Sequence, residues 1–422
     1  MSATGTTPAP DSRSAPEPPP AAPLDTQARG LRGYTSTLQR RMRGGELGPL
    51  PVVIGVLAIW IVFQSLNNRF LSAQNLSNLS IDIVPTGLIS VGIVFVLLLG
   101  EIDLSVGSVS GVSAAVLAVL EVNHGWNPAI AIGAALVAGL LLGALHGIFF
   151  AKVGVPAFVV TLAGLLAWNG LQLWILGPNG TVNLPSNGFV SELTGTYFTQ
   201  QIAAYALAVT AAALYAIAAL YGARRRRAAG IPARPVSEIA LRTALLAALC
   251  LAAAYVLNQY KGLPLALVIF LGIVVGSDLI LRRVGYGREV FAVGGNPEAA
   301  RRAGIDIATV RISVFAICGA MAALGGIFAA SRISSASQAT GQSNVLMMAI
   351  AAAVIGGTSL FGGRGSTWSA LLGMLVIQSI ASGMALQGVS NSVQFMVTGA
   401  VLLAAVVLDS LTRRTRRTAG RG

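Results

Sequence analysis

The side chains that could do chemistry are few and scattered. The chain has two histidines, His124 and His146, and two cysteines, Cys250 and Cys318. Neither pair has the spacing of a metal site, and both cysteines fall in apolar runs, which indicates buried free thiols. His146 also lies in an apolar run, where we expect a hydrogen-bonded packing role. The sequence therefore predicts no metal site and no catalytic centre.

The positions of the lysines indicate whether the chain itself could bind ATP through a phosphate-binding loop. A phosphate-binding Walker loop has the pattern G-x-x-x-x-G-K-[ST]. The two lysines, Lys152 and Lys261, do not stand in that context. We therefore expect that the chain is not an enzyme and that any ATP is hydrolysed by a partner.

The carboxylates that fall in apolar runs are Asp82, Glu101, Asp103 and Asp278, each near the end of a run. A charge at the centre of a membrane helix costs about 3 kcal/mol on the insertion scale. Ion-coupled transporters accept that cost, because they place ionisable groups along an ion path. The lack of central carboxylates argues against ion coupling, although a secondary transporter stays an alternative.

The composition indicates a membrane protein. The chain is 55% hydrophobic and 10% charged, whereas soluble domains carry about a quarter charged residues. Its formal net charge of +13 resides mainly between apolar runs, where orientation signals lie, and no aromatic-interleaved basic face suggests nucleic acid. We expect an all-α polytopic protein whose surface contacts membrane lipid.

A spanning helix needs about 20 mostly apolar residues, and the sequence predicts about twelve such helices. The run at 103–121 follows its predecessor directly, which is typical of a broken or re-entrant element. The predicted spans are 50–66, 79–99, 103–121, 127–150, 154–177, 202–222, 240–257, 264–281, 309–331, 345–361, 367–385 and 391–409.

Basic residues predict the topology and the domain limits. Placing both termini in the cytoplasm leaves only Arg69, Lys261 and Arg332 in the outer loops, as the positive-inside rule requires. The predicted regions are a disordered Pro/Ala-rich tail at 1–45, a transmembrane domain at 46–411 and a basic tail at 412–422. Within the domain we expect a basic cytoplasmic linker at 223–239 and a cytoplasmic loop at 282–308.

One short polar stretch in that loop has the signals of a helix. Asn296 suits the N-cap, Pro297 the first helical position, and Glu298 the positive end of the helix dipole. Gly304 suits the left-handed position that ends a helix. A helix of about seven residues is marginal in water, so either lipid headgroups or a soluble partner must hold it.

Several polar side chains lie within the predicted spans. Asn169 and Gln172 are three residues apart and share a helix face. Gln378 and Ser382 form a similar patch in a later span, and Gln394 adds another. Such groups either line a pathway or join helices by hydrogen bonds, and the sequence leaves both interpretations open.

Three motifs together resemble a known family. They are GEIDLSVGSVSG (Gly100–Gly111), GREVFAVGGNPEAARRAGI (Gly287–Ile305) and AAAVIGGTSLFGGRGS (Ala351–Ser366). Their types and order are similar to those of the permeases of bacterial ATP-driven (ABC) sugar importers of the ribose/xylose type. Within this family the chain looks most like the xylose-type permeases, because of two features. These are Glu101 and the extra segment around Arg224–Arg227. The resemblance covers about residues 50–410.

The resemblance implies a function and partners. It implies import of a monosaccharide across the cytoplasmic membrane. A xylose-type pentose is the favoured cargo, and ribose, galactose or a nucleoside are the alternatives. The implied partners are an ATPase subunit that binds ATP and Mg, a periplasmic or lipid-anchored sugar-binding protein, and a second permease copy. The implied coupling helix, which docks on the ATPase, comprises Asn296, Pro297, Glu298, Ala299, Ala300 and Gly304.

The first motif has two interpretations. Asp103 and Ser105 can satisfy backbone donors after an unwound stretch, which is a structural role. Alternatively, Glu101, Asp103, Ser105 and Gly107 form a gate or a contact with the ATPase. We expect the structural role first.

Overall fold

The computed structural model describes residues 50–418, with the side chains of Ser343, 405, 406 and 408–418 left out of the description. The predicted tail at 1–45 and the last four residues of the predicted tail at 412–422 lie outside the described residues. The architecture is all-α, as predicted, and the described strands are only two or three residues long.

The helices of the membrane region follow one another with short connections. In chain order they are α1 Leu50–Leu66, α2 Ala73–Leu98, α3 Val106–Ala118, α4 Pro128–Ile148, α5 Ala157–Leu176, α6 Phe189–Gly195, α7 Gln201–Ala228, α8 Val236–Asn258, α9 Leu265–Arg283, α10 Gly285–Gly295, α11 Pro297–Arg302, α12 Ile307–Ile333, α13 Ser343–Ile355, α14 Trp368–Leu386 and α15 Asn391–Thr418. One π-helical turn extends α3 (Val119–Asn123) and another extends α4 (Phe149–Val153).

Two small antiparallel pairs join distant connections. Strand β1 (Thr181–Asn183) pairs with β4 (Ser335–Ser337), and Val182 lies opposite Ala336. Strand β2 (Tyr197–Phe198) pairs with β3 (Leu263–Pro264). These pairings satisfy backbone groups of the segments that precede α7, α9 and α13.

Each of the twelve predicted spans coincides with a helix. Among the described residues nine helices are long and apolar enough to cross a membrane, and three shorter apolar helices are α1, α13 and the first part of α15. The span predicted at 103–121 begins only at Val106, after an unwound segment at 99–105. The broken element expected there is therefore present.

The connections form two groups that match the predicted sides. On the predicted outer side, β1 contacts β4, β2 contacts β3, and the Asn67 amide donates to the Leu386 carbonyl at 3.1 Å. On the predicted inner side, the Gly363 N–H donates to the Leu98 carbonyl at 2.9 Å. These contacts agree with a chain that reverses direction at every span.

Helix α2 forms the centre of the packing. Every residue from Gly87 to Leu98 is buried, which is typical of a helix surrounded by other helices. Helices α4 and α12 pack closely because Gly139, Gly143 and Gly147 recur every four residues along α4. A Cβ on Gly143 would clash with the Phe315 carbonyl oxygen of α12. Small residues thus let these backbones approach, as in many membrane helix pairs.

The predicted loops contain more helix than the sequence suggested. Arg224–Arg227 lie inside α7, so only residues 229–235 of the predicted linker at 223–239 connect α7 to α8. Alanine and arginine favour helix, and Pro232 and Pro235 then interrupt it. The predicted loop at 282–308 contains α10 as well as α11. Helix α15 continues through Thr418, across the predicted limit at 411.

Candidate functional site

Helix α11 has the predicted caps at both ends. The Asn296 side chain accepts a hydrogen bond from the Ala299 N–H at 3.0 Å, and Pro297 is the first helical residue. Gly304 has a φ of 83°. Its N–H donates to Arg301, and the Ile305 N–H donates to Ala300 at 3.1 Å. This is a Schellman end, which satisfies the last carbonyls of the helix.

Most of α11 is exposed. Asn296, Pro297, Glu298, Ala299 and Gly304 all face outward. Glu298 lies 3.6 Å from both Arg301 and Arg302, but such exposed pairs stabilise a helix only slightly.

Ala300 is the exception among the predicted coupling residues, because it is 4% exposed and packs into the main core. It therefore attaches α11 to its own chain, and the remaining face stays open.

The segment before α11 contacts the end of α2 without intervening side chains. A Cβ on Gly294 would clash with the Leu98 carbonyl oxygen and would lie 3.0 Å from the Gly363 nitrogen. Glycine is required here by this close approach of backbones. Gly295, the next residue, has nothing within 4 Å of a Cβ. The two adjacent glycines therefore have different roles.

The three sequence motifs meet at this contact. A Cβ on Gly362 would lie 2.5 Å from the Gly294 carbonyl and 3.0 Å from the Gly100 nitrogen. Gly100 and Gly362 also have positive φ angles, of 81° and 80°, which other residues rarely adopt. We call the meeting point of Gly100, Gly294, Gly362 and Gly363 the glycine junction. It joins the unwound segment 99–105 to the segment that carries α11.

Asp103 lies in the unwound segment and is 1% exposed. Its Oδ1 accepts from the Ser105 N–H at 2.8 Å and from the Ser105 hydroxyl at 2.6 Å. Ser105 is the N-cap residue of α3, but its side chain makes no capping bond. Asp103 thus satisfies a backbone donor in the break before α3, rather than capping that helix itself.

His146 continues this chain of hydrogen bonds. The Trp168 Nε1–H donates to His146 Nε2 at 2.8 Å, and His146 Nδ1 lies 3.2 Å from Ser105 Oγ. Because indole can only donate, Nε2 must accept, and the proton of the imidazole ring resides on Nδ1. The bonds therefore run from Trp168 to His146, then Ser105, then Asp103. The packing role expected for His146 is confirmed, and the sequence could not reveal its partners.

Glu101 is half-buried at the inner end of the unwound segment. Burial raises the pKa of its carboxyl, and the positive charge of Arg311 acts in the opposite direction. The Arg311 guanidinium lies 4.3 Å from the centre of the Phe150 ring. Arg311 thus lies over an aromatic ring, and its positive charge acts on the Glu101 carboxyl next to the glycine junction.

A cavity of about 400 Å³ lies beside the start of α3. Gly107 and Ser108 of the first motif line it, together with Asn169, Gln172 and Gln338. The rest of its lining is Leu165, Leu173, Gly341, Gln342 and Leu346. Helices α3 and α13 both begin at this cavity, since Gly107 and Ser108 lie in the first turn of α3 and Gln342 is the N-cap residue of α13.

Gln172 also fixes the wall of the cavity. It is 2% exposed, and its Nε2 donates to the carbonyls of Ser337 at 2.8 Å and Thr340 at 3.0 Å. The carbonyl of Gly341 in turn occupies the place where Gly107 would carry a Cβ. The turn at 338–341, which precedes α13, is therefore held against α3 and α5.

The other predicted pathway residues do not line this cavity. The Ser382 hydroxyl donates to Asn75 Oδ1 at 2.9 Å, and the Gln394 amide donates to the Val389 carbonyl at 2.9 Å. Gln378 is half-buried on α14. The structure thus brings Asn169, Gln172 and Gly107 together and leaves the later patch elsewhere.

The carboxylates in or near the spans have polar or charged neighbours. Asp82 pairs with Arg332 at 2.9 Å, and Asp278 pairs with Arg282 at 2.8 Å. Asp103 accepts a hydrogen bond from Ser105, and the charge of Arg311 opposes the effect of burial on the pKa of Glu101. No group of three or more His, Cys, Asp or Glu suited to a metal ion occurs in the part of the chain that the structure describes.

Apolar helices around a polar cavity, with an exposed capped helix at the predicted inner end, define a multi-pass membrane transport protein. Residues 75–406 match the family described as branched-chain amino acid transport system / permease component. Because the match covers most of the chain, the chain belongs to this permease family.

Several relatives of the chain are permeases of sugar transport systems. The xylose transport system permease protein of Escherichia coli (strain K12) is 38% identical over 367 residues, 86% of this chain and 92% of that protein. The xylose permease of Haemophilus influenzae is 34% identical over 86% of this chain and 97% of its own length. The ribose import permease protein of Bacillus subtilis is 31% identical over 86% of this chain and 92% of that protein. No solved structure matches significantly.

These relatives and the apolar helices together identify a multi-pass protein of the bacterial inner membrane. The chain is a transport component and not an enzyme.

We expect Gly294→Ala to destabilise the protein, because the new Cβ clashes with the Leu98 carbonyl at the glycine junction. Overpacking of this kind costs about 1–3 kcal/mol. Gly295→Ala is the matched control, since its Cβ enters open space. The midpoint of thermal unfolding in detergent measures the stability of both variants. Equal midpoints for the two variants would contradict the proposed constraint at the junction.

We expect His146→Ala to lower stability by about 1–3 kcal/mol, because Trp168 loses its acceptor in a buried site. His146→Gln should retain most of the stability, since its carbonyl can accept from Trp168 and its amide can donate to Ser105. Thermal unfolding of both purified variants is the measurement. If Gln and Ala are equally destabilising, the hydrogen-bond chain is not what His146 contributes.

Proposed function

We propose that this chain is the permease subunit of an ABC importer that translocates a monosaccharide across the cytoplasmic membrane. Xylose is the favoured cargo. The observation that carries the proposal is the similarity to xylose permeases over 86% of the chain. That similarity includes the regions of the cavity, the glycine junction and α11. ATP hydrolysis in a separate ATPase subunit drives the transport, and ATP and Mg bind there.

The chemistry of the cavity fits a neutral polyhydroxyl cargo. Asn169, Gln338 and Gln342 offer both donors and acceptors, which sugar hydroxyls require. The lining residues include no carboxylate for the ammonium group of an amino acid, although the family description names branched-chain amino acids. A pentose is therefore favoured over an amino acid. Ribose is the second candidate because ribose permeases are 31% identical, and galactose or a nucleoside remain alternatives.

In this proposal, Asn169 and Gln172 contact the sugar as it passes, and Gln378, Ser382 and Gln394 belong to another part of the pathway or to helix packing. A periplasmic or lipid-anchored binding protein delivers the sugar to the outer side. Because a binding protein supplies the selectivity, weak polar contacts in the permease are sufficient.

Coupling to ATP follows from the exposure of α11. Asn296, Pro297, Glu298, Ala299 and Gly304 form the surface that docks on the ATPase, and Ala300 holds this helix on the permease. Two permease copies pair with two ATPase domains, and their closure pushes on α11. The push reaches segment 99–105 through the backbone contact of Gly294 with Leu98. In that segment Glu101, Asp103 and Ser105 link the junction to α3, where Gly107 borders the cavity.

An ion-coupled secondary transporter is the less favoured candidate. Its coupling residues would be carboxylates in the spans, and Asp82 and Asp278 are each engaged by an arginine. A carboxylate whose charge is offset by a neighbouring arginine attracts a transported cation less strongly than a free carboxylate does.

Replacing 296–304 with a Gly-Ser linker should abolish co-purification of an ATP-binding subunit from native membranes, because the docking surface is lost. Ala299→Trp should weaken it too, since that side chain is exposed on α11. Ala229→Trp, at an exposed position of the α7–α8 connection, is the control. Mass spectrometry of the purified complexes is the measurement. An ATPase that is retained with the linker would refute the docking role, and its absence from the natural protein would refute the ABC assignment.

A further inference from the structure

A second cavity, of about 390 Å³, lies at the predicted inner ends of α7 and α9. Arg225 and Arg226 reach it from the last turns of α7, and Arg283 reaches it from the end of α9. Tyr221 and Ile231 complete the apolar part of its wall. Three arginines from the ends of two spanning helices thus line one space on the predicted inner side.

These arginines differ from their neighbours in their partners. Arg282 pairs with Asp278 at 2.8 Å, and Arg242 pairs with Glu238 at 2.6 Å. Among the side chains that the structure describes, by contrast, no acidic group pairs with the three arginines of the cavity. Arg225 lies 6.0 Å from the centre of the Tyr221 ring, at the outer limit of a cation–π contact. Their positive charges are therefore available to an anion.

The ends of the helices alone do not explain this arrangement. Basic residues in the last turn of a helix complement its dipole, and basic residues at inner ends set orientation. The orientation signal acts on Arg224 and Arg227 as on the others, and the dipole also favours Arg227, yet these two residues lie outside the cavity. Arg227 instead donates to the Arg234 carbonyl at 3.2 Å. Only some arginines of this basic region therefore line the cavity, namely Arg225, Arg226 and Arg283.

We propose that this cavity binds the headgroup of an anionic phospholipid of the inner leaflet. The phosphate would lie among Arg225, Arg226 and Arg283, since guanidinium groups bind phosphate oxygens through paired N–H donors. The apolar wall formed by Ala218 and Ile231 suits the glycerol and the first methylenes of the acyl chains. Basic pockets between membrane helices at this level are typical sites for anionic lipid headgroups.

An apolar wall distinguishes a lipid from free phosphate, which has nothing to bury there. The bound lipid would connect the α7–α8 hairpin to α9, which leads directly into α10 and α11. The site concerns lipid alone, so its test requires neither the transported sugar nor an ATPase partner.

The test is native mass spectrometry of the full chain after reconstitution in vesicles of phosphatidylglycerol and phosphatidylcholine, followed by extraction in mild detergent. We expect retained phosphatidylglycerol in the natural protein. Arg225→Gln with Arg226→Gln should lower its retention by about five-fold for each arginine. Arg224→Gln with Arg227→Gln removes the same charge outside the cavity and should retain the lipid. Thermal unfolding verifies that both double variants are folded.

Three outcomes would overturn the proposal. Equal losses in the two double variants would mean that the basic cluster attracts lipid only through its total charge. Retention of phosphatidylcholine at the same level would mean that the headgroup charge is not recognised. Displacement of phosphatidylglycerol by millimolar inorganic phosphate would assign the site to a free anion. Arg283→Gln alone should also lower retention, because this residue reaches the same cavity from α9.

Discussion

Close contact between backbones at the glycine junction is the constraint on which the rest of the arrangement depends. Gly294 touches the carbonyl of Leu98, and Gly362 touches Gly294 and Gly100. No side chain separates these segments, so in the proposed coupling a displacement of α11 would pass through backbone rather than through flexible side chains. Helix α2, which ends at this contact, is buried among its neighbours over Gly87–Leu98 and ties the junction to the core.

From the junction, polar contacts continue toward the cavity. Segment 99–105 carries Asp103 and Ser105, and these two residues connect through His146 to Trp168 on α5. Asn169 and Gln172 follow Trp168 on the same helix and line the cavity. An exposed capped helix, a close backbone junction and a cavity therefore form one connected arrangement, as the proposed coupling to a separate ATPase requires.

The sequence predicted the spans and the caps of α11, because these depend on local properties. Apolar length determines a span, and Asn296, Pro297 and Gly304 act on adjacent backbone groups. It did not predict α10, since four of that helix's eleven residues are glycines, which disfavour helix. Contacts between segments distant in sequence could not be predicted from the sequence either. Examples are the pairing of β1 with β4 and the hydrogen bond from Trp168 to His146. For the same reason Gln172 and Ser382 look equivalent in sequence, although only Gln172 borders the cavity.

In the proposed function, ATP that a partner hydrolyses drives a sugar through this chain. The most direct measurement is uptake of labelled xylose into proteoliposomes that contain this permease, its co-purified ATPase and its binding protein. We predict uptake that requires ATP, persists with an ionophore, and is outcompeted by unlabelled xylose more strongly than by ribose. Uptake that survives without ATP and collapses with the ionophore would contradict the account. It would instead assign the chain to ion-coupled transport.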